Sequence, residues 1–184
     1  CPVLKDQGAQ EYPANQTREE ARHVTAFAKY VKARWGKPVE CGPTLKALLV
    51  EIIGAPEVYK KIIGMQMLVE GLAMGAFATF YTKLNDPVGK KLMQLVMTDE
   101  AFHHKFGKIW ADRTIPKLSP EEHAIIEDWA AHCFQAVLFN LVGPNQQRDL
   151  YESFGLDPDK VIAEFAQIMT DEVRRESMKE QTNI

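Results

Sequence analysis

Two short motifs carry the clearest chemistry in this sequence. Glu20-Ala21-Arg22-His23 and Glu100-Ala101-Phe102-His103 are both Glu-x-x-His. Residues three apart share a helix face, so each motif aims a carboxylate and an imidazole at one point. Between them, Glu70 follows Leu68 and Val69 and precedes the apolar run Gly71 to Ala78. A carboxylate in such surroundings is costly unless it is protonated, paired or bound to a cation. Bridging carboxylates and capping imidazoles together hold two divalent metals, and this donor set suits iron and manganese. A helical bundle builds such a centre from one Glu on each of two helices and Glu-x-x-His on each of two others. Here the order is Glu-x-x-His, Glu, Glu-x-x-His.

The elements that must position these residues read as helices. One is expected from about Ala14 to Trp35, with Asn15 or Thr17 as cap and Gly36 and Pro38 as stop. Tyr12-Pro13 reads as loop, which places Glu11 there too. After the Cys41–Thr44 turn, Thr44 is expected to cap a short helix over Leu45–Ile53. Glu57–Leu84 reads as a long apolar helix ended by Asn85-Asp86-Pro87, and Pro87 or Val88 to Arg113 as the next. Ser119 caps and Pro120 opens a fourth long helix that ends near Gly143-Pro144. A short helix over Gln147–Phe154 and a last one through Val161, Phe165 and Met169 follow. No segment alternates with strand period, and no phosphate-binding glycine loop is present, so the chain reads as all-α.

Spacing ties the ligands to these elements. Glu70 follows Glu20 by 50 positions, room for a helix end, a crossover helix and a return. It precedes Glu100 by 30 positions, which suits one antiparallel hairpin turning at Asn85-Asp86-Pro87. At about 1.5 Å per residue, half a helix down and half a helix back returns both ligands to a similar height.

On these residues the chain resembles the ferritin-like di-iron carboxylate oxidases and oxygenases, which include ribonucleotide reductase small subunits and bacterial multicomponent monooxygenases. Gln16–Lys29, QTREEARHVTAFAK, resembles their second ligand helix, and Met97–Gly107, MTDEAFHHKFG, their last. The resemblance implies a ferritin-like antiparallel helical bundle with extra C-terminal helices. It implies metal ligands Glu20, His23, Glu70, Glu100 and His103, with Glu19, Arg22 and Asp99 standing behind the histidines. Three departures accompany it. Glu19 replaces the usual Asp, Phe102 replaces the usual Arg of the second motif, and the first ligand helix with its sixth ligand is expected upstream of Cys1. The reading is therefore one domain over 1–184, a piece truncated at its N-terminus.

Each residue also has a plainer reading. A single Glu-x-x-His arises by chance, and the two together with Glu70 carry the argument. His104 faces about 100° from His103 and reads as a surface group or a neighbour behind the ligands. His123, His132, Glu51, Glu127, Asp171 and Glu172 read as amphipathic helix surface. Gly71, Ala73, Gly75, Ala76 and Ala78 fit close helix packing, or else a substrate space at Gly71, Met74 and Phe77. Tyr30 and Tyr81 read as core or redox-active side chains. Phe27 stands four residues after His23, where radical-generating subunits carry Tyr, which argues against a tyrosyl radical.

Composition narrows the classes. Over 184 residues, 46% hydrophobic and 26% charged with a net charge of −3 describe a globular chain with room for a core. No basic stripe offers itself to nucleic acid. No apolar stretch is expected to cross a membrane, since Gln66 and Glu70 interrupt the richest one. Three cysteines without a CxxC pair fit a reduced, cytoplasmic setting. The resemblance implies an oxidoreductase holding two iron ions (Fe/Fe, with Mn/Fe as the variant) that activates O2 to oxidise an apolar or aromatic small molecule. It would draw electrons from a reductase or ferredoxin and act as a homodimer. The alternatives are a ferritin-like protein that oxidises and stores iron, and a non-catalytic helical protein with a degenerate metal site.

Overall fold

The computed structural model describes residues 4–37 and 40–142, together with positions 148, 152, 157–160, 162, 163 and 172. Every regular element among the described residues is helical, as expected. The elements are α1 (Gln7–Trp35), α2 (Pro43–Gly54), α3 (Val58–Lys61), a π-helical stretch (Ile62–Val69), α4 (Glu70–Lys83), α5 (Pro87–Thr114), a 3-10 turn (Ile115–Lys117) and α6 (Pro120–Val142). The two helices expected beyond Gly143 fall largely outside the described residues.

Several boundaries differ from expectation. Helix α1 begins at Gln7, capped by Asp6, whose Oδ1 accepts the Ala9 amide at 2.9 Å. Pro13 lies inside the helix instead of stopping it, and Glu11 is helical, exposed and bonded to Gln7. Pro13 removes one rung of the ladder. The buried line Ala9, Gln16, His23 runs across it at two-turn spacing, so packing outweighs the local break. Helix α2 starts at Pro43 with Gly42, not Thr44, in the cap position. Its last carbonyls are met by the Lys61 ammonium, which donates to Ile52 and Ile53. Helix α6 carries the expected Ser119 cap, completed as a capping box by Glu122, with Glu122 N–H to Ser119 Oγ at 3.2 Å and Ser119 N–H to Glu122 Oε2 at 2.8 Å.

The segment expected as one regular helix over Glu57–Leu84 contains eight π-helical residues immediately before Glu70. Val58–Lys83 is also long and apolar enough to cross a bilayer, with a mean hydropathy of 1.4, contrary to the expectation of no such segment. Two polar residues do not offset so many apolar ones. A helix that supplies Ile62, Ile63, Met67 and Leu68 to a buried core satisfies the same criterion.

The chain forms two compact units, residues 1–40 with 74–103 and residues 41–73 with 104–184. In the first, α1 buries Ala9, Gln16 and His23, and α5 buries Met93, Val96, Glu100 and His103. The α5 residues recur at three- and four-residue intervals, the period of a core-facing stripe, so its ligand candidates occupy core positions. As residue numbers rise along α1 they fall along α5 in the contacts Tyr12–His103, His23–Asp99 and Tyr30–Asp86, so the two helices are antiparallel. Phe27 stacks on Phe77 with ring centroids 5.5 Å apart.

Near Pro87 the first unit is clasped by Asp86. Its Oδ2 accepts the Tyr30 hydroxyl at 2.6 Å and the Arg34 guanidinium at 2.5 Å, and its Oδ1 accepts the Val88 amide. Gly89 leaves room for this clasp, because a Cβ there would meet the Tyr30 hydroxyl and force it to shift.

The second unit holds an apolar core of Leu48, Ile52, Ile63, Met67, Leu68, Ala111, Ile115, Ile126, Ala130, Cys133 and Phe134. Gly64 allows close approach, since an added Cβ would lie 2.7 Å from the Trp129 ring and 2.9 Å from Ile52. Burial pushes the Cys133 thiol up to about 12, so it is a packing residue rather than a reactive one. Glu51 is not merely solvated, as expected, but accepts the Trp129 indole N–H at 2.7 Å.

Candidate metal centre

Helices α1 and α5 bring four expected ligands together within the first unit: Glu20, His23, Glu100 and His103. Three of them are buried, and Glu20 is partly exposed. Three-residue spacing places each carboxylate beside the imidazole of its own motif, and antiparallel pairing of the helices adds the other motif. Glu20, Glu100 and His103 each offer a donor atom within 4.8 Å of the others.

The contacts are crossed. The His103 Nδ1 lies 3.0 Å from Glu20 Oε1 and 2.9 Å from Glu100 Oε2. The His23 Nδ1 lies 3.5 Å from Glu20 Oε2 and 3.2 Å from Glu100 Oε1. Each carboxylate thus turns one oxygen toward each imidazole. The outer ring nitrogens are held from the opposite helix. Asp99 Oδ2 accepts His23 Nε2 at 2.9 Å, and Glu19 Oε2 accepts His103 Nε2 at 2.9 Å. The longer Glu19 side chain reaches its histidine as well as Asp99 reaches the other. Arg22, half exposed, donates to Asp99 Oδ2 at 2.7 Å. Glu19 Oε1 instead accepts the Asn15 amide at 3.0 Å, a partner that lies outside both Glu-x-x-His motifs.

Charge and burial oppose each other here. Burial works to raise the Glu20 carboxyl, but hydrogen bonds and charge from His103 and His23 outweigh it and hold the group below its ordinary value. Asp99 is likewise raised by burial, and His23 and Arg22 outweigh that to keep it low. Both nitrogens of fully buried His103 face carboxylate oxygens. A neutral imidazole has one N–H, so a second cation, proton or metal, is needed on the inner side. Buried His23 Nδ1 makes no hydrogen bond although two carboxylates face it.

These donors fit a pair of divalent metals. Two ligands about 2.1 Å from one ion and at right angles to each other are about 3 Å apart, the spacing seen around His103 Nδ1, while the carboxylate oxygens stand wider around His23 Nδ1, at 3.2 and 3.5 Å. Four carboxylates against one arginine leave an excess of negative charge that divalent cations would offset.

The remaining expected residues are placed as follows. Glu70 belongs to the second unit, is buried, and its Oε1 accepts the Gln66 amide at 3.0 Å. His104, half-buried in that unit, pairs through Nδ1 with the Gln66 carbonyl at 3.1 Å, which takes it out of the ligand set. Gly71 is in the second unit, where an added Cβ would make ordinary contact with His104. Met74 and Phe77 are in the first, half-buried, with Phe77 on Phe27. Phe102, in place of the family's Arg, is 61% exposed and touches neither histidine's outer nitrogen. No family model, curated protein or solved structure matches this chain.

Proposed function

We propose that Glu20, His23, Glu100 and His103 hold a carboxylate-bridged pair of iron ions in a ferritin-like bundle. On this reading the protein is an oxidoreductase that activates dioxygen to oxidise an organic substrate. One observation carries it: each of two carboxylates offers one oxygen to each of two imidazole Nδ1 atoms, while both Nε2 atoms are tied outward. A lone structural ion would need only one such set. Bound iron would supply the electron-transfer and dioxygen chemistry.

The chain's own residues do the rest. Glu20 and Glu100 would hold the cations and offset part of their charge. Glu19 and Asp99 set ring orientation and direct Nδ1 inward, and such outer partners raise imidazole basicity. Near-complete burial of His23, Glu100 and His103 keeps water from the donors. Glu70, from its place between the two Glu-x-x-His motifs in the sequence, is proposed as a third carboxylate ligand. Met74 and Phe77 are the proposed apolar contacts for an apolar or aromatic substrate.

The test is metal analysis of the full chain after anaerobic loading with ferrous iron, followed by admission of oxygen. About two irons per chain, and a near-ultraviolet band that grows with oxygen, are expected. Failure to retain iron would remove the reading. Retention in a large multi-subunit shell would favour the iron-storage alternative.

A further inference from the structure

We infer that the two metal positions are unequal, and that the His103 position fills first and more tightly than the His23 position. The inference rests on the dimetal reading above and concerns what lies behind each imidazole.

Behind His23, one oxygen does two jobs. Asp99 Oδ2 accepts His23 Nε2 at 2.9 Å and the Arg22 guanidinium at 2.7 Å. A charged donor on the same oxygen draws electron density from it, so it is a poorer acceptor for the imidazole. The imidazole is then a weaker donor at Nδ1. Arg22 also adds a positive charge on the side of the centre where a divalent cation would bind.

Behind His103, the work is divided. Glu19 Oε2 serves His103 Nε2 at 2.9 Å, and Glu19 Oε1 takes the neutral Asn15 amide at 3.0 Å. No guanidinium touches Glu19 among the described contacts, and the carboxylate keeps its full charge for the imidazole. Exposure points the same way, since His103 is 0% exposed and His23 5%. So does the inner geometry, with carboxylate oxygens at 2.9 and 3.0 Å from His103 Nδ1 against 3.2 and 3.5 Å from His23 Nδ1. Groups behind a metal-bound histidine change metal affinity by roughly 10- to 100-fold when altered. A difference of about tenfold between the positions is therefore within their reach. Such inequality is also the condition under which one chain could hold two different metals.

The experiment adds Co2+ stepwise to the full, metal-free chain under anaerobic conditions, with heat and visible absorption recorded together. Two resolved steps are expected, the first tighter by about tenfold or more. Arg22→Gln should tighten the second step several-fold and leave the first unchanged, while Arg22→Lys, which keeps the charge, should restore the wild-type gap. Glu19→Gln should weaken the first step, and Asp99→Asn the second. Arg22 is exposed enough that its variants test charge rather than folding. Two equivalents bound in one indistinguishable step, or an Arg22→Gln isotherm that matches wild type, would overturn the inference and leave the dimetal reading intact. Fewer than two equivalents in the wild-type chain would overturn both.

Discussion

At the scale of single residues, the two ligand types make different demands. Glu20 and Glu100 each face both imidazoles, whereas in the proposed centre His23 and His103 would each serve one position. Removing a carboxylate should therefore damage both positions and removing a histidine only one. On this argument His23→Ala retains about one metal per chain, and Glu100→Ala close to none. Metal-to-protein ratios after gel filtration measure both. Equal losses in the two variants would mean that the carboxylates do not bridge. The motifs that name these ligands were legible because three-residue spacing is a property of any helix. The cross-helix partners were only half legible. Asp99 and Glu19 precede their own Glu by one position, but each serves the histidine of the opposite helix. That exchange depends on the antiparallel pairing, which no local pattern encodes. Asn15, read as a cap, holds Glu19, because the helix begins seven residues earlier than its local signals suggest.

Among elements, those with strong local chemistry were readable and those set by packing were not. Pro87 and the Ser119–Glu122 capping box fix the starts of α5 and α6 through backbone geometry and hydrogen bonds, and both boundaries agree with expectation. The π-helical stretch before Glu70 contains the close approach of Gly64 to Trp129, and composition records neither. The Asp86 clasp is similar, since it joins residues more than fifty positions apart. It also carries a pH signature. Hydrogen bonds from Tyr30 and then Arg34 hold the Asp86 carboxyl at about 2, below its ordinary 3.8. A folded-state value below the unfolded one stabilises the fold above the unfolded value, and that contribution is lost as pH falls through the folded value. Tyr30→Phe should thus lower stability at pH 6, with the penalty shrinking as pH drops from about 3.8 to about 2. Chemical denaturation of both proteins across that range measures it. A penalty constant with pH would show that Tyr30 acts by packing alone.

For the whole molecule, the division into two units means that a metal bound at the proposed centre would be a local stabiliser with a readable footprint. The first unit contains Glu20, His23, Glu100 and His103, and the four carboxylates, with Glu19 and Asp99 included, carry like charges that bound cations would offset. A ligand that binds only the folded state stabilises by about 2.7 kcal/mol at a concentration 100 times its Kd. Chelation should therefore raise amide exchange in residues 7–35 and 87–103 and leave that in α6 nearly unchanged. The same measurement separates the four-ligand centre from one that includes Glu70. If Glu70 is a ligand, exchange in the π-helical stretch and the first turn of α4 should also rise on chelation. If it is not, those amides should behave like α6. Exchange that changes nowhere on chelation would remove the centre altogether. Uniform change across all helices would instead mean that the metal reports on global stability. Comparison of Glu70→Gln with wild type then isolates that carboxylate, because Gln keeps the shape and can still pair with Gln66. Reduced metal content with unchanged metal-free exchange is the outcome that makes Glu70 a ligand. Metal content equal to wild type would leave its buried charge to be balanced within its own unit.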